Sequence, residues 1–133
     1  MTPQTAQTFL EDNFAPWVLA LQPTVMEISA DRTVLTIPIT DALNRTGGIV
    51  SGQALTALAD TAMVLACGGH FGQMEPVGTV TLDTQFLRPA SGDSITATAE
   101  VTRAGRSMVF TRCALTALPG GKPVALATAT FAR

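Results

Sequence analysis

The sequence is poor in charge, in cysteine and in histidine. Only 14% of its 133 residues are Asp, Glu, Lys or Arg, leaving a net charge of −2 and a pI near 5.1. That balance excludes a general nucleic-acid binder, which needs a basic face. Two cysteines, Cys67 and Cys113, are too few for a disulfide framework and lack metal-ligand spacing. Two buried reduced thiols are the expectation, and no metal. No basic n-region leads into an apolar stretch at the N-terminus, as a secretory signal would require. No uninterrupted apolar run reaches the ~20 residues of a membrane span, because Gln53, Thr56, Asp60 and Thr61 break the longest one. A cytoplasmic setting without membrane contact is expected.

What is present is apolar. At 47% hydrophobic, the chain has enough apolar surface for one domain over residues 1–133, with some left to bury against a second subunit. Residues 1–22 place Phe9, Leu10, Phe14, Trp17, Val18 and Leu21 at helical spacing, with Pro16 as a break. Trp17 reads as a packing anchor. TVMEIS (24–29) and RTVLTIPI (32–39) alternate and are rich in β-branched residues, a hairpin signature. After a turn-rich loop, a central helix is expected over 51–68, capped by Ser51 and ended by Gly68-Gly69. Strands follow over 77–87, 94–104, 107–118 and 123–133. A helix with so little polar face needs enclosure on several sides, and a sheet wrapped around it supplies that.

Asp60 is the puzzle in that helix. Between Arg45 and Glu75 it is the only side chain with a full formal charge, and an isolated carboxylate in an apolar run marks a site only in some proteins. Ala54, Leu55, Leu58, Ala62 and Leu65 form one helical stripe; Gln53, Thr56 and Asp60 form another, continued by Val64 and Cys67. An exposed surface acid is the plain reading. Gly47, Gly48 and Gly52 tip the balance: they let backbone approach a ligand at a helix N-terminus, where free N–H groups meet developing negative charge. A carboxylate about two turns further on suits acyl chemistry, in which N–H groups polarise a carbonyl while the acid attacks it or activates water.

With GIVSGQALTALADTA (48–62), FLRPA (86–90), RAGRS (103–107) and the VALATATF strand in this order, the chain resembles the hotdog-fold thioesterases of the phenylacetic-acid-degradation (PaaI-like) type over roughly residues 20–133. The resemblance implies an α+β hotdog fold, an antiparallel sheet wrapped around one long central helix. It implies hydrolysis of acyl-CoA thioesters without metal or redox cofactor, coenzyme A being part of the substrate. Homodimers, or dimer-of-dimers tetramers, with interface active sites are implied as partners. Asp60 falls on the family's nucleophile or general base, and Gly52 on the glycine whose N–H polarises the carbonyl. Thr79, or its neighbour Thr81, falls on the hydroxyl residue that places the attacking water. Asn44 matches the loop asparagine with a one-residue insertion. The family's His-Gly-Gly stands here as Ser51-Gly52-Gln53, so imidazole is missing, while Gln53 and Thr56 lie on the Asp60 stripe.

Arg88, Arg103 and Arg106 are candidate ligands for the nucleotide phosphates, with solvated turn residues as the plain alternative. His70, the only histidine, reads as a surface or capping residue beyond the site. Asp83 is assigned the same strand face as Thr79 and Thr81. With no tyrosine, the pocket has little to offer an aryl hydroxyl. A non-catalytic acyl-CoA or lipid-binding hotdog protein is the alternative; a hydratase, faintly suggested by Asp41 and Asn44, lacks the His–Asp pair it needs.

Overall fold

The computed structural model, which describes residues 1–133, has eight strands and three α-helices, six of the strands where alternation predicts them and two short ones in the expected loop. Two helices, α1 (Pro3–Asn13) and α2 (Pro16–Leu19), precede the hairpin β1 (Thr24–Ile28) and β2 (Thr33–Pro38). A 3-10 turn at Asp41–Leu43 leads to the short pair β3 (Asn44–Arg45) and β4 (Ile49–Val50). Then come α3 (Gly52–Phe71), β5 (Gly78–Phe86), β6 (Ser94–Ala104), β7 (Met108–Leu118) and β8 (Pro123–Ala132). Six strands form one antiparallel sheet in the order β1-β2-β6-β7-β8-β5, curled around α3. This is the hotdog arrangement.

Side-chain size explains why α3 fits the sheet. Inward residues alternate along β2 (Thr33, Leu35, Ile37), β6 (Ile95, Ala97, Ala99) and β8 (Ala125, Ala127, Ala129, Phe131), all buried. The alanines let the helix come close, and Leu55, Leu58, Ala62 and Leu65 of α3 fill the space at core density. By length and composition α3 passes for a membrane span, contrary to the expectation from its polar interruptions. The sheet covers it instead: 67% of its most apolar 18-residue window is buried.

The helix also ends later than expected. Ser51 caps it, its hydroxyl accepting from the Ala54 N–H at 3.2 Å. At the other end it runs through Gly68-Gly69 to Phe71 and stops at Gly72 in the left-handed conformation. Gly68 and Gly69 serve close packing: a Cβ on Gly69 would lie 2.6 Å from the Ser29 carbonyl oxygen. Trp17 is not an anchor either. It is 64% exposed, because a four-residue helix offers no stripe to bury. Cys67 and Cys113 are free and buried, and burial pushes both thiols up to about 12.

The two sheet edges are treated differently. On β1, Gln7 of α1 covers the outermost strand, its amide accepting from the Val25 N–H at 2.8 Å and donating to the Pro23 carbonyl at 3.1 Å. The other edge, β5, is bare, with Val80, Leu82, Phe86 and Leu87 between 37% and 54% exposed. An uncovered, partly apolar edge leaves unpaired backbone groups to which another strand can add.

Candidate active site

Asp60 lies on the flank of α3 that faces β5. It is half-buried, and loss of solvent raises its carboxyl above the ordinary value, while a hydrogen bond from Thr79 pulls the other way. The Thr79 hydroxyl donates to Asp60 Oδ1 at 3.2 Å. One helical turn back, the Thr56 hydroxyl donates to the hydroxyl of Thr84 at 3.2 Å. The helix and the edge strand are thus joined by two hydroxyl contacts.

A β-bulge decides which threonines take part. The β5–β8 register slips between Thr79 and Thr81: Thr79 pairs with Phe131 and Thr81 with Thr130. The extra residue, Val80, places Thr79 on the helix side together with Leu82, Thr84 and Phe86. Thr81 and Asp83 consequently face away from the helix. Thr79, not its neighbour Thr81, is thus the hydroxyl beside Asp60, which corrects the alternative of Thr81 and the grouping of Thr79 with Asp83. Alternation alone cannot foresee a bulge. Thr84 was missed for the same reason, although its period-2 spacing from Phe86 was a usable signal.

The second half of the candidate site is the α3 N-terminus. The N–H groups of Gly52 and Gln53 have no acceptor in the chain, since the Ser51 hydroxyl serves Ala54. Phe86 packs across Gly52; a Cβ there would sit 3.1 Å from the ring tip. Ser51 N–H donates to the Leu43 carbonyl at 2.8 Å, which ties the 41–50 loop to the helix start. Asn44, opposite Val50 in that loop, is half-buried with a side-chain oxygen that has no partner. Gln53 is exposed and makes no side-chain bond.

Within one chain these halves do not meet. Eight residues of helix separate Gly52 from Asp60, about 12 Å along the axis. One carbonyl cannot touch both. The arginines are also divided: Arg88 stands at the Gly52 end and donates to the Pro123 carbonyl. Arg103 and Arg106 lie at the opposite end of β6 and β7, about 20–30 Å away along the strands. His70 sits exposed in the last helical turn, edge-on to Phe71. A recess of about 610 Å³ lies on the outer face of the sheet around Asp83, Thr98, Arg112 and Thr128, and Asp60, Gly52 and Thr79 take no part in it. No group of three His, Cys, Asp or Glu comes together as a metal site.

A sequence model described as the Thioesterase superfamily matches residues 47–124, which span the α3 N-terminus, Asp60 and the sheet through β7. The chain belongs to the thioesterase superfamily. A thioesterase family protein from Silicibacter pomeroyi shares 25% identity and superposes with a TM-score of 0.85, covering 97% of this chain and 95% of its own. A mutant of the phenylacetic acid degradation protein PaaI from Thermus thermophilus is also 25% identical, at a TM-score of 0.79, with coverage of 90% and 99%. Zebra fish thioesterase superfamily member 2, at 23% identity and a TM-score of 0.86, shares the fold over 99% of this chain and 98% of its own. No curated protein sequence matches the chain.

Proposed function

We propose that the protein hydrolyses acyl-CoA thioesters at sites shared between two copies of the chain. The observation that carries this is Asp60: a half-buried carboxylate, raised by desolvation and held by Thr79, on the open flank beside the bare β5 edge. Because Gly52 and Asp60 of one chain are about 12 Å apart, the site takes Gly52 from one subunit and Asp60 with Thr79 from the other. A homodimer joined along β5 supplies that pairing, and a dimer of dimers is compatible with it.

The thioester carbonyl accepts from the Gly52 N–H, which is free and sits at the positive end of α3. Asp60, a stronger base for being raised, takes a proton from water positioned by Thr79; the hydroxide adds to the carbonyl carbon. The oxyanion is stabilised at Gly52 until it collapses, breaking the C–S bond and releasing CoA thiolate, which regains the proton. Direct attack by Asp60 gives the alternative route, through an acyl-carboxylate anhydride that water then opens. Asn44, with its unpartnered oxygen, flanks the Gly52 half-site, and Gln53 and Thr56 are the candidate substrate contacts on α3 between Gly52 and Asp60. Arg103 and Arg106 are the candidate phosphate ligands. Arg88 stands beside Gly52 instead. No metal or redox group is needed for these steps.

One observation favours a non-catalytic acyl-CoA binder: the Ser51 hydroxyl is used as a helix cap and supplies no imidazole function. Asp60→Asn separates the readings. Thiol release from acyl-CoA is expected to fall by at least ~100-fold in a variant that remains folded. Unchanged turnover removes Asp60 from the mechanism, and binding without any turnover in the parent protein establishes the binder.

A further inference from the structure

Beside Gly52 lies a cavity of about 370 Å³ that the proposed reaction leaves unassigned. Its apolar lining includes Ile49, Leu55, Phe86 and Ala90, and two cations, Arg45 and Arg88, complete it. No carboxylate lines it. Neither arginine belongs to the three ion pairs of the chain, Arg32–Glu27, Arg112–Glu100 and Arg133–Glu75. Arg45 donates to the Thr46 carbonyl at 2.9 Å and Arg88 to that of Pro123. A guanidinium has five N–H donors, so both retain donors for an anion.

We propose that this cavity receives the acyl chain and that the preferred substrates end in a second carboxylate: CoA monothioesters of short, four- to six-carbon dicarboxylic acids. The inference rests on the reading of Gly52 as the carbonyl-binding group. An apolar wall next to that group suits methylenes, and paired guanidinium groups suit a carboxylate.

The phosphates of CoA itself fit this position poorly. A round cavity of 370 Å³ is about 9 Å across. The pantetheine arm places about 13 bonds of amide-and-methylene chain between sulfur and the first phosphorus, about 15 Å at the spacing of an extended peptide. With the thioester carbonyl on Gly52, the extended arm carries the phosphates past this cavity. The far carboxyl carbon of a four- to six-carbon diacid lies only about 4–6 Å from its carbonyl carbon, within reach of the arginines.

The test compares adipyl-CoA with hexanoyl-CoA, equal in chain length and different in the terminal carboxylate, in the parent protein and in an Arg45→Gln/Arg88→Gln variant. The parent is expected to favour adipyl-CoA in kcat/KM by at least ~10-fold, and the variant to bring that ratio close to one. Inhibition by free CoA, measured alongside, is expected to change far less than the ratio. A parent preference for hexanoyl-CoA overturns the proposal while leaving the hydrolase reading intact. An equal loss for both thioesters and for free CoA also overturns it, because the arginines then serve the phosphates. If neither thioester is hydrolysed, the hydrolase reading fails, and calorimetry decides the subsite by itself: adipyl-CoA binding no tighter than hexanoyl-CoA overturns it.

Discussion

Replacing Gly52 by proline removes the proposed oxyanion donor while sparing the helix. Gly52 is the first residue of α3, where proline is well tolerated and where the N–H has no intrahelical partner. Ser51 before it has φ −64° and ψ 147°, the extended conformation that a following proline requires. Restricting the unfolded chain stabilises by about 0.4–1 kcal/mol. Against this, a Cβ meets the tip of the Phe86 ring at 3.1 Å, and that ring, 54% exposed, has room to give. The net change in stability is expected within about 1 kcal/mol, a few degrees in Tm for a chain of this size. Activity is another matter: loss of one oxyanion donor costs about 10²–10³-fold in kcat. Gly52→Ala is the control, since it adds the same Cβ and keeps the N–H. Thiol-release kinetics and thermal melts on both variants separate shape from hydrogen bonding. Equal kcat for the proline and alanine variants, both folded, would refute Gly52 N–H as the donor.

Co-expression of Gly52→Pro with Asp60→Asn tests the shared site. Random pairing makes half the dimers mixed, each with one of two sites intact, so activity recovers to about a quarter of the parent's; a site built within one chain recovers none. The acid limb of kcat/KM is expected above 3.8, the ordinary carboxyl value, because burial raises Asp60. The same shift means the folded state holds its proton more tightly than the unfolded one, so ionised Asp60 weakens the fold at neutral pH. Asp60→Asn should therefore raise Tm at pH 7, by an amount that shrinks as pH falls through the Asp60 titration. Gly69→Ala should destabilise: its Cβ would lie 2.6 Å from the Ser29 carbonyl oxygen, and overpacking costs about 1–3 kcal/mol against about 1 gained in helix propensity. Gly68→Ala crowds the flexible Met74 thioether and meets the Gln73 carbonyl oxygen at an ordinary 3.5 Å, so it should be milder, which paired denaturant melts will show.

The local elements were legible because their signals are local. Alternation marked the six strands of the main sheet, though not the two-residue β3 and β4; Ser51 marked the helix start through its own hydroxyl, and the isolation of Asp60 in an apolar run needed no coordinates. Gly68-Gly69 misled because glycine has two uses. As a left-handed C-cap it would end α3, but here it admits Ile28 and Ser29 against a continuing helix, and Gly72 performs the capping. Only the tertiary neighbour distinguishes these uses.

The sequence by itself determined that one apolar helix carries a single carboxylate, that glycines precede it, and that antiparallel strands follow in number and length sufficient to wrap it. These are properties of spacing and composition, which folding does not change. The tertiary structure decided the rest. A one-residue bulge at Val80 turned Thr79 toward Asp60 and Thr81 away from it, because side chains alternate with a period of two and one inserted residue inverts the faces. The rise of the helix set Gly52 and Asp60 about 12 Å apart. Residues that look like one site in the sequence stand at two separate places along the helix.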